Sequence, residues 1–248
     1  EQRFIRAQSS VLVTGGLGAL GREVARWLAR DVGVEHVVLT SRRGRASSGG
    51  DAIIEELEGL RAQVTVAACD VTDGDALEGV LDAIPEALPL RGVIHTAGVL
   101  DDGVLTALTP ERLATVLRPK VDGAWHLHTL TESMNLDFFV LFSSAAGIMG
   151  APGQGNYAAA NSFMDALAEY RRSRGEAGVS IAWGPWAEGG MAAELGSADQ
   201  ARMQRQGVGS LEMAQGIALL ERAMGQDRSL SVALALDVRR LQQVIERS

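Results

Sequence analysis

The sequence predicts an α/β fold, a doubly wound parallel sheet of about seven strands with helices on both faces and a small helical lid. Three observations predict it. Short apolar runs rich in β-branched residues (11–13, 36–40, 64–68, 92–95) alternate with longer stretches of helical period. The first run passes directly into a glycine cluster and then a helix. A fifth run, 138–144, ends in small residues, and open parallel sheets place their ligand crevice at such carboxyl ends. A chain of 248 residues is long enough for one sizeable core. Residues 11–248 are therefore expected as a single domain, with polar residues 1–10 as a linker or tail.

The elements follow in order. The strand at 11–13 leads into Thr14-Gly15-Gly16-Leu17-Gly18-Ala19-Leu20-Gly21 and a helix with Val24, Trp27 and Leu28 inward. Gly16, Gly18 and Gly21 match GxGxxG in the strand–turn–helix context of a Rossmann-like dinucleotide site. There glycines allow a tight turn and a close backbone approach to pyrophosphate at a helix N-terminus. The second strand ends in Ser41-Arg42-Arg43-Gly44. About 20 positions beyond the glycines an NAD site carries an acidic residue for the ribose. Two arginines stand here instead; they suit a 2′-phosphate and favour NADPH, against the alternative of an ordinary basic loop. Residues 44–51 read as a loop before a helix at 52–61. The third strand ends at Cys69-Asp70-Val71, with Asp70 placed for the adenine rim and Asp73 available to cap a helix at 74–84. The fourth ends at His95-Thr96-Ala97-Gly98, whose small residues let backbone lie against a cofactor; His95 reads as packing beside the sheet.

Leu100-Asp101-Asp102-Gly103 precedes a helix capped by Thr109 with Pro110 in its first turn. Leu113, Val116, Leu117, Val121 and Ala124 mark its inner face, and Pro119 bends it. Lys120 lies on that stripe and is the single lysine among 23 basic residues. A bias towards arginine reflects genome composition on a solvated surface, but an inward lysine must meet polar groups. His126 and His128, two apart on a helix, diverge and make a poor metal pair.

The central stretch is 138–161. Ser144 ends the fifth strand, and after Pro152 and Gln154 a helix begins near Asn156. Tyr157 and Asn161 are four apart and share a face. A hydroxyl, a phenol and a carboxamide can converge on one small polar group; the bland alternative is a loop serine and a packed tyrosine. Helix 157–174 leads to a strand at 179–182 and then Trp183 to Met191, a glycine- and tryptophan-rich pocket wall or a packed turn. Two helices to about 224, a seventh strand at 230–236 and a polar helix complete the chain. The net charge of −8 argues against a nucleic-acid surface, no apolar run reaches membrane-spanning length, and Cys69 alone allows no internal disulfide. A cytoplasmic protein is expected.

Taken together, Thr14-Gly15-Gly16-Leu17-Gly18, Ser41-Arg42-Arg43, Cys69-Asp70-Val71, Leu100-Asp101-Asp102, Lys120, Ser144 and Tyr157 to Asn161 resemble the catalytic half of a ketoreductase domain of modular polyketide synthases. That family belongs to the short-chain dehydrogenase/reductases. Simple members carry Tyr-x-x-x-Lys with an upstream Asn; here, as in polyketide ketoreductases, Lys120 is upstream and Asn161 takes the helix position. The resemblance implies that Tyr157 protonates the substrate oxygen, Ser144 hydrogen-bonds it, Lys120 holds the nicotinamide ribose and favours the phenolate, and Asn161 orients Lys120. It implies NADPH contacts from Thr14 to Leu20 and Gly21, and from Ser41, Arg42, Arg43, Asp70, Val71, Ala97, Gly98, Phe142 and Ser143. Its substrate would be a β-ketoacyl thioester on the phosphopantetheine arm of an acyl carrier protein. Leu100-Asp101-Asp102 resembles the B type, which forms the D-configured 3-hydroxyl, and the A type has tryptophan in place of Met149. Pro152 and Asn156 resemble the non-epimerising subtype, with Gln154, Trp183 and Met191 completing the substrate side. A structural half that precedes the catalytic half in the family is expected outside this chain, as a partner. Rival readings are a non-catalytic NADP-binding module or sensor, another short-chain reductase acting on a small free ketone, and a nucleotide-sugar epimerase or dehydratase. The last typically keeps Tyr-x-x-x-Lys.

Overall fold

The computed structural model describes residue 6 and residues 8–188 and 207–245. Its strands are β1 (Ser10–Thr14), β2 (His36–Ser41), β3 (Gln63–Ala68), β4 (Leu90–His95), β5 (Phe138–Ser144), β6 (Val179–Trp183), β7 (Val208–Gly209), β8 (Leu230–Ala233) and β9 (Ala235–Leu236). Seven of them form one sheet in the order β3-β2-β1-β4-β5-β6-β8, every neighbouring pair parallel. Strands β1 and β5 are buried nearly throughout, which is why they read as apolar runs rather than alternating ones. Chain order reverses between β1 and β4, so their carboxyl ends splay apart and leave a crevice there.

The helices are α1 (Ala19–Trp27), α2 (Gly50–Gly59), α3 (Gly74–Asp82), α4 (Pro110–Lys120), α5 (Asp122–Thr131), α6 (Ala146–Met149), α7 (Gly155–Ser173), α8 (Met213–Met224) and α9 (Val238–Ile245). Alternate residues of the sheet feed two cores. Val11, Val13 and Leu39 meet Val24, Trp27, Ile53, Leu57 and Leu220 from α1, α2 and α8. Leu12, Val38, Phe139 and Leu141 meet Leu77, Leu127, Met164 and Leu167 from α3, α5 and α7. Helix α3 is capped by Asp73, whose carboxylate accepts from Ala76 N, and α4 by Thr109 with Pro110 in its first turn, both as read from sequence.

Several boundaries differ from the expectations. The first strand opens at Ser10, within the segment read as a tail, because the fully buried Ser10 donates its hydroxyl to Leu88 O at 2.6 Å. The helix expected to run from Pro110 through Ala124 divides at Val121, two residues after Pro119, which has no N–H to continue the ladder. A short α6, not expected, fills the turn after β5. The expected strand 230–236 is also two elements: β8 extends the sheet, while β9 turns away to pair antiparallel with β7. Of the two helices expected before 224, α8 is described; Met191 lies outside the described residues.

Candidate active site

Thr14 ends β1, and the chain turns through the glycines into α1. Gly15 has φ +69°, and a Cβ there would stand 2.8 Å from Ala97 N. A Cβ on Gly21 would stand 2.4 Å from Gly15 O. These glycines let the loop, β4 and α1 close on one another. Gly18 caps α1 with no side chain, so the unpaired N–H groups of its first turn lie open to the cleft beyond.

That cleft encloses about 500 Å³. Of the residues expected to hold a dinucleotide, Gly15, Gly18, Leu20 and Gly21 line it from the loop and α1, Ser41 from the end of β2 and Arg42 from just beyond it. Asp70 and Val71 line it beyond β3, and Ala97 and Gly98 beyond β4. Thr14 and Gly16 do not. Thr14 is fully buried with Oγ1 2.7 Å from His95 Nδ1, and Gly16 donates its N–H to Thr40 O. They shape the loop from beneath, where sequence alone placed them against the ligand. Leu17 and Arg43 line an adjoining hollow with Arg22, Arg42, Ser47 and Ser48. Arg22 was not read from the sequence; only the folding of the 47–48 loop onto α1, where Arg22 donates to Ser48 O, brings it there. Neither Arg42 nor Arg43 enters an ion pair among the described residues. The Asp70 carboxyl sits below its usual range, chiefly because it accepts from Thr72 N, with Arg42 adding to the effect.

A second crevice, of about 170 Å³, opens at the carboxyl ends of β5 and β6. It shares Leu20 and Thr96 with the first as common wall; Thr96 belongs to the small-residue run after β4 expected against a cofactor. Lys120, Phe142, Ser143, Ser144 and Tyr157 line it, as do Leu100, Met149, Pro152, Gln154 and Trp183. Trp183 packs 4.9 Å from Trp186 between ring centroids, so this segment is both pocket wall and packed turn.

Tyr157 is 7% exposed. Burial raises its phenol to about 12, while the polar side chains of Asn161 and Ser144 nearby draw it the other way. Lys120 is 2% exposed, donates to Phe142 O at 3.0 Å and lies 5.3 Å from the centroid of the Tyr157 ring. Burial lowers its ammonium to about 7, against the charge of Asp165. Asn161 is not on the wall; fully buried behind it, its amide donates to Tyr157 O at 2.7 Å and pins the turn that carries the phenol.

The residues read as substrate-side form one interlocked unit. Asn156 donates to Asp101 O at 2.9 Å, Gln154 to Asp102 Oδ2 at 2.8 Å, and Gly103 N to Gly153 O at 2.8 Å. Asp101 itself is paired with Arg112 at 2.6 Å. The two aspartates and Asn156 are therefore off the crevice wall and fix the Leu100 loop to the head of α7, while Leu100 faces the crevice.

The residues present fit a dinucleotide whose reactive end reaches the Tyr157 crevice: a helix start with no side-chain cap, two arginines in no ion pair among the described residues, and a wall shared between the two spaces.

A family model described as "KR domain" matches residues 9–188. The chain is 54% identical over 229 residues to Polyketide synthase GfsB of Streptomyces halstedii, covering 92% of this chain and 4% of that protein. It is 50% identical over 233 residues to Phenolphthiocerol synthesis polyketide synthase type I Pks15/1 of Mycobacterium marinum, covering 93% and 11%. A solved structure of A-type ketoreductases from a modular polyketide synthase superposes with TM-score 0.89 at 44% identity, over 95% of this chain and 49% of that one. A C2-type ketoreductase gives 0.87 at 35%, over 97% and 51%. The chain thus spans a small part of those two synthases and about half of those two solved chains.

Proposed function

Because this chain belongs to the KR domain family, we propose that it reduces the β-keto group of an acyl thioester, carried on the phosphopantetheine arm of an acyl carrier protein, during polyketide elongation. The observation that carries the proposal is the meeting of Tyr157, Ser144 and Lys120 on one crevice that shares its wall with the glycine-loop cleft.

NADPH, when bound, supplies the hydride to the carbonyl carbon. Everything else falls to the chain. Ser144 donates a hydrogen bond to the ketone oxygen and holds it beside the Tyr157 hydroxyl. Tyr157 gives that oxygen its phenolic proton. A phenol held near 12 by burial is fully protonated at neutral pH, the form in which a reductase needs it. Lys120 as an ammonium binds the nicotinamide ribose and stabilises the phenolate left behind. Asn161 holds the helix turn that aims Tyr157. Arg42 and Arg43, free of ion pairs among the described residues, take the 2′-phosphate that distinguishes NADPH from NADH. The Leu100-Asp101-Asp102 loop, locked to Gln154 and Asn156, walls the side from which substrate enters; it supports the B-type, D-configured and non-epimerising outcome. The presence of both Tyr157 and Lys120 favours this reading over a non-catalytic cofactor-binding module. Working partners would be the carrier protein, other synthase domains and the structural ketoreductase half, in the cytoplasm.

The test follows NADPH oxidation by absorbance with a β-ketoacyl thioester mimic. Tyr157→Phe should keep cofactor affinity and lose at least about 100-fold in turnover; undiminished turnover would reject the mechanism. Arg42→Ala with Arg43→Ala should weaken NADPH far more than NADH, and equal weakening would reject the phosphate assignment.

A further inference from the structure

Three arginines and no carboxylate line the hollow beside the glycine-loop cleft. Arg22 reaches it from the first turn of α1, Arg42 and Arg43 from the turn after β2, and Ser41, Ser47 and Ser48 complete its polar wall. The hollow encloses about 510 Å³ and shares Gly18, Ser41 and Arg42 with the cleft, so the two spaces adjoin at the end of β2. Helix stability does not call for a cation at position 22. The first turn of α1 holds no acidic residue, and the helix dipole there disfavours positive charge. Ion pairing does not call for one either. The adjacent Glu23 is paired with Arg26, and Arg22 enters no ion pair among the described residues.

The guanidinium is nevertheless held in place. It donates to Ser48 O, and Gly49, at φ +68°, lets the loop close so tightly that a Cβ there would stand 2.9 Å from Arg22 Nη1. The Ser47 hydroxyl lies 2.9 Å from that of Ser41, which ties the same loop to the end of β2. Arg22 Nε is buried and has no hydrogen-bond partner among the described residues. A guanidinium drawn partly out of water against a backbone carbonyl is costly unless an anion faces it. We propose that Arg22 is a third guanidinium for the ribose 2′-phosphate and that it helps set the preference for NADPH over NADH. The inference rests on the dinucleotide reading given above and extends it. Selectivity comes from a clamp between α1 and the loop at 47–49 as well as from the arginine pair after β2. A phosphate monoester carries close to two negative charges at neutral pH and three acceptor oxygens, which suits planar forks arriving from two elements.

Binding without turnover tests this. Isothermal titration of the intact chain with NADP+ and with NAD+ measures both affinities with no ketone present. Arg22→Gln keeps an N–H for Ser48 O and removes the charge. It should weaken NADP+ by about 10-fold or more and NAD+ by less than about 2-fold. Arg22→Lys restores the charge and should recover part of the loss. Equal weakening of the two cofactors by Arg22→Gln overturns the proposal, because Arg22 would then act only by holding the loop. A lysine variant that binds NADP+ no better than the glutamine variant overturns it as well. Arg42→Ala with Arg43→Ala in the same titrations separates this inference from the wider reading. If that double variant loses its selectivity for NADP+ while Arg22→Gln keeps it, the pair after β2 acts alone and the part given to Arg22 is rejected. If neither variant changes the ratio of the two affinities, the hollow is not the phosphate site and both assignments fall.

Discussion

Burial moves His95 and Lys120 in the same direction. His95 falls from its ordinary 6.5 to about 3, first because it is fully enclosed and then because Lys120 is close; a hydrogen bond to the Pro119 backbone opposes both. The unfolded chain takes up a proton on this imidazole near pH 6.5, whereas the folded protein refuses it until about pH 3. The stability that depends on neutral His95 is therefore complete above 6.5 and drains away as the pH falls towards 3, on the order of 5 kcal/mol across the window. Urea unfolding at pH 7, 5.5 and 4.5 should show wild type weakening steeply. His95→Gln, which hydrogen-bonds without titrating, should give a flatter dependence; parallel curves would remove His95 as the cause. At this scale the sequence was informative wherever chemistry demanded a rare residue type. A lone lysine on an apolar stripe, a serine at a strand end and a tyrosine one helix later could all be named. What could not be named was which of their neighbours lie on the wall and which behind it. Thr14, Gly16, Asn161 and the two aspartates, all named from the sequence, lie behind the walls of the two spaces rather than on them. That distinction depends on side-chain direction after packing, which spacing along the chain does not encode.

The glycine loop is the element on which cofactor binding turns, and its glycines are not equivalent. At Gly21 an added methyl would stand 2.4 Å from Gly15 O and 2.7 Å from Gly16 Cα, backbone that cannot retreat without opening the loop. At Gly18 it would stand 3.1 Å from Gly15 O alone. Gly21→Ala should lower stability by about 1–3 kcal/mol as overpacking does, and with it the affinity for NADPH. Gly18→Ala should leave unfolding nearly unchanged, so that its effect falls on cofactor affinity. Equilibrium unfolding and fluorescence titration on both variants check this, and equal destabilisation would show that the loop is less rigid than its contacts imply. The elements that sequence rendered well are those with one dominant signal, such as the apolar strands and the capped starts of α3 and α4. Those it rendered poorly owe their form to tertiary packing. The break at Val121 seats Lys120 while turning Ala124 and Leu127 of α5 into the core shared with α3 and α7. Short α6 exists because the chain must climb from β5 to the head of α7, and nothing in Ala146–Met149 announces a helix.

Across the whole molecule the sheet divides labour between its ends. Both crevices, the glycine loop and Tyr157 lie at the carboxyl ends of the strands. At the other end, Arg171 near the close of α7 is 2% exposed and ties several elements together. Its Nε donates to Ala177 O at 2.7 Å, its Nη1 lies 2.8 Å from His128 Nδ1 on α5 and 3.4 Å from Glu176, and its guanidinium stacks 3.9 Å over the Phe139 ring on β5. Fourteen residues of helix separate it from Tyr157, roughly 20 Å along the axis. A planar fork satisfies all of these partners at once; an ammonium cannot, and it would leave His128 or the Ala177 carbonyl unpaired in the interior. Arg171→Lys should therefore cost about 2–4 kcal/mol of stability, the range for breaking a buried charged network. Because none of the lost contacts reaches either crevice, NADPH affinity and turnover per folded molecule should stay at wild-type values at temperatures well below the unfolding midpoint. Differential scanning calorimetry and steady-state kinetics on the same preparation measure the two quantities together. A fall in turnover matching the fall in stability would mean that α7 transmits strain along its length, and that the two ends of the sheet are not independent.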